Sequence, residues 1–262
     1  MKSNKMKAVL VAGGEGSRLL PFTRYTHKTL LPLHSRPVID YALGTIRRTG
    51  IKDITIIGNR FIGQIAQHVG VGLEGENIHF VIEEEPKGVG HALNLARPHV
   101  EGHRLLIYFS DNIISSELVD EVNHWKESSE PPGAFLLGYN VDDASSFGVG
   151  EFDEEGKLVD IVEKPLNPPS NIAIGGIYLF DEDFWGLLDQ EMVKRGEKFS
   201  ITDVNKRYLQ NQKVRMKILE DEVWLDCGTP DTILEAAKYA RNGVISPLPC
   251  NFKENDPALD GV

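Results

Sequence analysis

Short apolar runs alternate with segments of helical periodicity along the first half of this chain. Residues 7–12 and 105–109 are two such runs, and residues 37–49 carry an apolar stripe at helical spacing behind a proline. This alternation is typical of βαβ units, in which parallel strands are joined by right-handed crossovers. It predicts an α/β fold with a doubly wound, mostly parallel sheet. Ligands of such a sheet bind beyond the carboxyl ends of its strands.

The rest of the chain supplies further strands and helices. Strands are also predicted at residues 53–57, 78–82, 134–139, 148–152, 157–162, 173–180 and 214–219. Helices are also predicted at residues 61–69, 91–96, 118–125, 183–189, 201–211 and 230–241. The runs 148–152 and 157–162 flank an Asp-Glu-Glu-Gly turn and predict a hairpin. No linker rich in glycine, serine or proline divides the chain, so we expect one domain over residues 1–243 and an irregular tail over residues 244–262.

Composition excludes several classes of protein. The chain carries 28 basic and 39 acidic side chains, a net charge of -11, so its surface repels polyanions and no nucleic-acid partner is expected. No apolar stretch reaches membrane-spanning length and the first residues lack the features of a signal peptide, so we expect no membrane partner. Cys227 and Cys250 make neither a disulfide framework nor a zinc motif. These features predict a cytoplasmic protein.

A glycine-rich loop follows the first predicted strand directly, in the order Gly13-Gly14-Glu15-Gly16-Ser17-Arg18. Glycines let successive backbone N–H groups approach phosphate oxygens, and an arginine adds a forked cationic contact. A dinucleotide-binding fingerprint needs glycine where Leu19 stands, and a Walker loop needs Gly-Lys-Ser/Thr at its end. Both features are missing. A plain turn is the remaining alternative, but three glycines and an arginine that directly follow the first predicted strand favour phosphate binding.

Lys28 follows one loop later, before a proline that starts a helix. A single lysine is commonly a solvated surface residue. Together with Arg18, its charge would neutralise a triphosphate and the charge that grows on the α-phosphoryl group during transfer.

These motifs, in this order, resemble the sugar-1-phosphate nucleotidylyltransferase family, and within it the glucose-1-phosphate thymidylyltransferases, over residues 7–241. The resemblance implies a three-layer Rossmann-like nucleotidyltransferase fold, with nucleotide bound over the first half and sugar phosphate over the second. It implies transfer of a nucleoside monophosphate from a nucleoside triphosphate, dTTP, to a sugar 1-phosphate, glucose 1-phosphate, by a homo-oligomer. It also implies nucleotide contacts from Ala12, Gly13, Gly14, Gly16, Ser17 and Arg18.

Two aspartates stand where apolar runs end. Asp111 closes the run 105–109, and Asp226 follows the run 223–225. Two carboxylates at strand ends can hold one hard cation together with phosphate oxygens. A turn or helix-cap role is the alternative, and Asp231, just behind a proline, fits that role better. In the resembled family the matching positions of Asp111 and Asp226 ligate Mg2+, and Asp111 is expected to contact substrate as well.

The family usually has glycine where Ser110 stands and threonine where Cys227 stands. Both departures leave the two carboxylates in place. Cys227 is expected to be a packed neighbour and not a nucleophile, because the reaction needs no covalent enzyme intermediate.

On the sugar side, Glu163 and Lys164 end a predicted strand. A carboxylate there can accept hydrogen bonds from sugar hydroxyls, and the lysine can pair with the sugar phosphate. An exposed Glu–Lys pair is the alternative. The resemblance places Gly148 and Tyr178 beside the sugar too, although Tyr178 also suits a core position. Ser200 and Gly175 depart from the thymidylyltransferase pattern, which has a glutamate and a threonine-like residue there.

The base is expected near Glu83 and Gly88, where Gly88 would let the backbone approach the base edge. The thymine enzymes of the family have glutamine where Glu83 stands. A glutamine both donates and accepts hydrogen bonds, whereas an ionised glutamate only accepts them. Glu83 could accept the N3–H of thymine or uracil but would repel O4 unless a backbone N–H served that atom, and it would suit the N1–H and amino group of guanine well. The alternative is that Glu83 belongs to a solvent-facing acidic run of three residues.

The expected reaction is an in-line displacement in which the sugar phosphate attacks the α-phosphorus and pyrophosphate leaves. Arg18 would hold the pyrophosphate, Lys28 would stabilise the developing charge, and Lys164 would orient the nucleophile. A guanylyl- or cytidylyltransferase that acts on another sugar phosphate is one alternative, suggested by Glu83. A regulatory subunit that binds nucleotide sugars without catalysis is another.

Overall fold

The computed structural model describes residues 6–129, 132–196 and 199–247. Its strands are β1 (Met6–Ala12), β2 (Pro32–Leu33), β3 (Arg36–Pro37), β4 (Asp53–Gly58), β5 (Asn77–Ile82), β6 (Arg104–Phe109), β7 (Asn112–Ile114), β8 (Ala134–Asn140), β9 (Gly148–Phe152), β10 (Leu158–Glu163), β11 (Ile172–Phe180), β12 (Val214–Leu219) and β13 (Trp224–Asp226). Its helices are α1 (Val38–Arg48), α2 (Ile62–Val69), α3 (Val89–Val100), α4 (Val119–Glu127), α5 (Phe184–Arg195), α6 (Ile201–Gln210) and α7 (Pro230–Arg241). None of the helices in these ranges is long and apolar enough to cross a membrane.

Four parallel strands form the first half of a nine-stranded sheet, in the order β5-β4-β1-β6. β1 lies inside this set and is apolar on both faces, as expected for a parallel strand covered by helices on both sides. The carboxyl ends of β1, β4 and β6 lie together because Ala12 pairs with Gly58 and Val11 pairs with Phe109. Loops that leave these ends therefore meet at one edge of the sheet.

β11 joins the two halves of the sheet. It runs antiparallel to β6 through residues 177–180 and antiparallel to β9 through Ala173 and Ile174. Its other edge pairs with β8, which in turn pairs with β12 in parallel. The hairpin of β9 and β10 is therefore attached to the same edge of β11 as the parallel strands, which brings the second half of the chain towards the carboxyl ends of the first.

Helices cover both faces of this sheet, so the fold has three layers. Alternate residues of β1 point to opposite faces: Ala8 and Leu10 pack with α1, α2 and α4, whereas Val9 packs with α3, α5 and α6. Burial of each large aliphatic side chain in such clusters stabilises the fold by roughly 1.5–3 kcal/mol. The predicted three-layer α/β fold with a mostly parallel mixed sheet is confirmed.

Most predicted elements are present with ends shifted by a few residues. The helix predicted at 91–96 extends over Val89–Val100 and includes Pro98 in its last turn. The helix predicted at 183–189 extends to Arg195. The residue before a proline disfavours helix, which explains the early predicted end of α3. Pro98 lacks a backbone N–H and so removes one hydrogen bond from the helix, while the burial of Ala96 and Val100 in the core holds this last turn in place.

The beginning of the predicted tail packs against α1 and α7. Ile245 is buried in a cluster with Leu33, Tyr41 and Ala236. A guanidinium nitrogen of Arg48 donates to the carbonyl of Ser246 at 3.0 Å. Residues 248–262 of that tail lie outside the described residues.

Candidate active site

The glycine-rich loop leaves the end of β1 and continues through 3-10 turns, the first at Ser17–Leu19. Gly16 has a left-handed backbone with φ of 65°, and a Cβ there would lie 2.8 Å from Cγ2 of Thr23. The hydroxyl of Thr23 donates to the carbonyl of Gly16 at 2.7 Å, which closes the loop upon itself. No α-helix begins directly after the loop, as its sequence indicates; the N–H of Leu19 instead donates to the carbonyl of Gly16 at 2.9 Å in a 3-10 turn.

The loop rests against Lys28 and its neighbour His27. A Cβ at Gly14 would lie 3.0 Å from Nζ of Lys28, so glycine is what lets the ammonium approach the loop. His27 is buried, and its Nδ1 accepts a hydrogen bond from the N–H of Thr29 at 3.2 Å. Burial first, and then the charge of Lys28, lower the pKa of His27 to about 4. His27 is therefore uncharged at neutral pH.

A small antiparallel pair of strands brings the two predicted carboxylates together. Asp226 in β13 lies opposite Asn112 in β7, and the N–H of Cys227 donates to the carbonyl of Asp111 at 2.8 Å. Sequence reasoning missed β7 because its three residues are shorter than the window in which strand periodicity is visible.

Two cations pair with these carboxylates. Nζ of Lys28 forms an ion pair with Oδ2 of Asp111, and both side chains are largely buried. Nη2 of Arg18 lies 3.8 Å from Oδ2 of Asp226, and the arginine side chain is 62% exposed. Arg18, Lys28, Asp111 and Asp226 therefore form one cluster at the carboxyl edge of the sheet, with the arginine free to reach a ligand from the solvent side.

The two carboxyl groups differ in acidity. Burial opposes ionisation of Asp111, but the ammonium of Lys28 outweighs it and holds the pKa of that carboxyl below its usual range. Burial, and then the charge of Asp111, raise the pKa of Asp226, which Lys28 and Arg18 offset in part. Asp226 is thus the carboxylate that would gain most from an additional positive charge.

The pair fits a divalent cation. Oδ1 of Asp226 is buried and has no hydrogen-bond partner among the described residues. Within those same ranges, no group of three or more His, Cys, Asp or Glu side chains could hold a metal ion. A cation at Asp111 and Asp226 would therefore complete its shell with phosphate oxygens or water.

Cys227 is buried between these carboxylates and the α7 cluster. Burial, with a smaller contribution from Asp111 and Asp226, raises the pKa of its thiol. A thiol held in the protonated form is a poor nucleophile, in agreement with the packing role predicted for it.

The residues predicted to bind the sugar phosphate form a second group along the β9–β10 hairpin. Gly148 pairs with Glu163 across the two strands, and the hydroxyl of Thr202 donates to Oε2 of Glu163. A Cβ at Gly148 would lie 3.0 Å from that hydroxyl, so a side chain at this position would displace the contact. Nζ of Lys164 lies 3.8 Å from Oε1 of Glu163, and 66% of the lysine side chain is exposed. Among the described ion pairs, Lys164 reaches neither predicted metal ligand.

Tyr178 lies in the core beneath this group. Its ring stacks on Phe180 with centroids 5.8 Å apart and meets Phe109 edge-on at 6.1 Å. Burial, and then the charge of Glu163, raise the pKa of its hydroxyl. The packing agrees with the core position considered for Tyr178, and its hydroxyl lies 3.6 Å from where a Cβ on Gly175 would be.

The expected base site lies on the other side of the loop. Glu83 is only 4% exposed, whereas Glu84 and Glu85 are exposed, so the alternative of a solvent-facing run of three is wrong for Glu83. Its Oε1 lies 3.2 Å from Nδ1 of His91 and accepts the N–H of Lys87 at 3.4 Å. Its Oε2 faces the glycine-rich loop, 2.8 Å from where a Cβ on Gly13 would lie. Gly88, with φ of 95°, directly precedes the first residue of α3.

A cavity of about 600 Å3 opens beside Arg18 and Asp226, with Tyr139, Phe147 and Trp224 in its wall. This volume is in the range of small-molecule sites. A second cavity of about 580 Å3 lies between β10, α6 and β12, and it contains none of the predicted site residues. Of the predicted site residues, Arg18 and Asp226 line the first cavity, which therefore adjoins the charged cluster.

A three-layer α/β fold with a glycine-rich loop, two cations and two carboxylates at the strand ends defines an enzyme of nucleotide phosphate chemistry. The chain belongs to the Nucleotidyl transferase family, which matches it over residues 7–243. The predicted family is confirmed, and with it an enzyme that transfers a nucleoside monophosphate. Members of this family generally use a divalent metal ion.

Relatives and solved structures agree with this assignment. Glucose-1-phosphate thymidylyltransferase of Xanthomonas campestris pv. campestris is 35% identical over 239 residues, 89% of this chain and 80% of that protein. The enzyme of the same name from Mycobacterium tuberculosis is 33% identical over 247 residues, 90% of this chain and 82% of that protein. A crystal structure from Bacillus anthracis, described as a glucose-1-phosphate thymidylyltransferase in complex with sucrose, matches with a TM-score of 0.82 and 32% identity, over 90% of this chain and 96% of that one.

Proposed function

We propose that this enzyme transfers dTMP from dTTP to glucose 1-phosphate and releases pyrophosphate. The predicted class of reaction, from a nucleoside triphosphate to a sugar 1-phosphate, agrees with the family and with relatives that carry the thymidylyltransferase name. The single observation that carries the proposal is the pairing of β7 with β13, which holds Asp111 and Asp226 next to Lys28 and Arg18. Such a cluster suits a reaction between two anions.

The cationic side chains would do most of the catalysis. Both substrates are anionic, so the barrier falls when their charges are neutralised and the reacting atoms are held in line. Arg18, whose side chain is exposed on the solvent side of the cluster, would bind the departing pyrophosphate. Lys28, largely buried beside Gly14, would stabilise charge on the α-phosphoryl group. No general base is needed because the attacking phosphate is already ionised near neutral pH.

We propose Mg2+ as the divalent ion and Asp111 and Asp226 as its protein ligands. When bound there, it would screen the α-phosphate and the leaving pyrophosphate. The buried and unpartnered Oδ1 of Asp226 supports this assignment. Lys28, which pairs with Asp111 in the structure, would turn to the α-phosphate when the nucleotide is present.

The nucleotide and the sugar phosphate would occupy opposite sides of this cluster. Backbone N–H groups of the loop over residues 12–17 would bind the triphosphate, and Gly88 and Glu83 would contact the base. Gly148 and Glu163 would bind sugar hydroxyls, with Tyr178 facing Glu163 from below. Lys164, whose ammonium is mostly exposed, would orient the sugar phosphate for attack.

A second candidate, a guanylyl- or cytidylyltransferase, is favoured by the buried carboxylate of Glu83 at the base position. Pyrophosphate release, measured with dTTP, UTP, GTP and CTP against a set of hexose 1-phosphates, separates the two. The highest kcat/KM for dTTP with glucose 1-phosphate is the expected result. Preference for GTP or CTP would establish the second candidate instead.

The metal assignment is tested by Asp226→Asn. Loss of the charge should lower turnover at least about a hundredfold while the fold stays intact, because the carboxylate acts on the cation and not in the core. Asp231→Asn, an exposed aspartate in the first turn of α7, is the matched control and should retain activity. Wild-type pyrophosphate release by Asp226→Asn would show that the metal assignment is wrong.

A homo-oligomer stays a prediction of the family resemblance, and a cytoplasmic location stays a prediction from the composition. Light scattering of the purified chain would measure its mass in solution. A mass of one chain would contradict the homo-oligomer.

A further inference from the structure

Asp111 is held by a hydrogen-bonded chain of two residues that the reaction itself does not require. Nε1 of Trp224 donates to Oδ1 of Asn112 at 2.8 Å. Nδ2 of Asn112 donates to Oδ1 of Asp111 at 3.0 Å. The other carboxylate oxygen of Asp111 accepts from Lys28. Both oxygens are thus oriented by the protein.

The amide of Asn112 has little freedom to turn. The residue is 5% exposed, and the backbone of β11 lies against its amide. Gly176 makes this contact with φ of 79°, and a Cβ there would lie 2.0 Å from Oδ1 of Asn112. If the amide reversed, its NH2 group would face the indole N–H, donor against donor. The hydrogen bond from Trp224 therefore selects the orientation that donates to Asp111.

Trp224 is fixed in turn by two aromatic rings. It stacks on Tyr139 with centroids 4.3 Å apart and an interplanar angle of 20°. Phe147 meets it edge-on at 5.3 Å. The carbonyl of Phe147 accepts the N–H of Lys164 at 2.9 Å. The indole is thus anchored on the segment that carries the sugar-side residues.

From these contacts we infer that Trp224 and Asn112 are positioning residues, which hold Asp111 in the orientation that binds the divalent cation. The inference rests on the proposed function, because it concerns the same carboxylate. Outer hydrogen bonds to a metal-binding carboxylate typically change metal affinity by about 10- to 100-fold when they are removed. Here the change in metal affinity would depend on the one hydrogen bond that the indole N–H of Trp224 donates to Asn112.

Trp224→Phe tests this because it removes the N–H and keeps a ring between Tyr139 and Phe147. Binding of Mn2+ is measured by electron paramagnetic resonance with saturating dTTP and without sugar phosphate, so that no turnover occurs. We expect the apparent Kd for Mn2+ to rise about tenfold, with a melting temperature close to that of the wild type. Trp185→Phe is the control: its Nε1 is buried without a hydrogen-bond partner among the described residues, and Mn2+ affinity should not change.

Asn112→Ala is the second variant and should weaken Mn2+ to a similar or greater extent. It keeps the test valid if Trp224→Phe folds poorly. Wild-type Mn2+ affinity in either folded variant would overturn the positioning role, even if the melting temperature fell. If the wild type itself bound no Mn2+ with dTTP, or if Asp226→Asn bound Mn2+ as well as the wild type, the proposed metal site would fail and the positioning role with it.

Discussion

At Glu83, one carboxylate oxygen is held by hydrogen bonds within the protein and the other faces the glycine-rich loop. Oε1 contacts His91 and the N–H of Lys87, whereas Oε2 lies beneath Gly13. In Glu83→Gln, the amide oxygen can keep the first set of contacts and the NH2 group can face the base. That group would donate to O4 of thymine, which a carboxylate repels. We therefore expect kcat/KM for dTTP to rise about tenfold relative to GTP.

The ratio of the two kcat/KM values is the measurement, because it cancels losses of active enzyme. Glu84→Gln, an exposed neighbour, is the matched control and should leave the ratio unchanged. An unchanged ratio in Glu83→Gln would show that Glu83 does not contact the base.

Residue-scale electrostatics also predict how stability depends on pH. The pKa of His27 is lowered from 6.5 to about 4 in the folded protein. Between these values the unfolded chain binds more protons than the folded one, so stability is full above pH 6.5 and is lost as the pH falls towards 4. A shift of this size corresponds to a loss of about 3 kcal/mol.

Comparison with His27→Asn isolates this contribution, because the asparagine can still accept the N–H of Thr29 but cannot titrate. Urea unfolding at pH 7 and pH 5 should show a smaller loss of free energy for the variant than for the wild type. His34→Asn, at an exposed histidine, is the control, and its free energy of unfolding should fall between pH 7 and pH 5 by as much as that of the wild type. An equal loss in wild type and His27→Asn would contradict the assignment.

The charged centre of the site could be predicted from the sequence, but its supports could not. Arg18, Lys28, Asp111 and Asp226 each stand in a short local pattern, a glycine loop or a strand end, that indicates chemistry. Asn112 and Trp224 stand beside two of these residues, yet their hydrogen bond exists only because distant segments pair. The burial of Glu83 is equally non-local, since the acidic run around it predicts exposure.

At the scale of elements, the order of strands and helices follows from local periodicity, whereas strand partners depend on contacts far apart in sequence. The pairing of β7 with β13 joins residues more than a hundred positions apart. The two edges of β11 are another case, because nothing in its sequence shows that β6 and β9 share one edge. The missing information is topological.

One buried contact between elements predicts a stability change. The hydroxyl of Tyr208 in α6 donates to Oδ1 of Asp181, which follows β11, at 2.6 Å. Asp181 is fully buried, and its other oxygen accepts the N–H of Gly133 at 2.9 Å. In Tyr208→Phe, the buried carboxylate loses a donor, and stability should fall by about 1–3 kcal/mol.

The midpoint and slope of urea unfolding measure this change. Tyr25→Phe is the control, because that ring is 74% exposed. If Tyr208→Phe shifted the urea midpoint no more than Tyr25→Phe does, the hydrogen bond to Asp181 would contribute nothing to the packing of α6.

At the scale of the whole molecule, the first and second halves of the chain share one sheet through β11. This continuity supports the prediction of one domain, and it has a thermal consequence. If β11 unfolded, the strands that pair with it in both halves of the chain would be exposed. We therefore expect a single unfolding transition, in which far-UV and near-UV circular dichroism change together.

Ligands should move that single transition. With dTTP and Mg2+ at about 100 times the dissociation constant, binding adds about 2.7 kcal/mol to the free energy of unfolding. In a chain of this size each kcal/mol raises the midpoint by about 2–4 °C, so a rise of roughly 5–10 °C is expected. Glucose 1-phosphate, bound by the other half, should move the same transition. Two transitions, of which dTTP moved one and the sugar phosphate the other, would mean that the halves unfold independently, since linkage stabilises only the unit that binds the ligand.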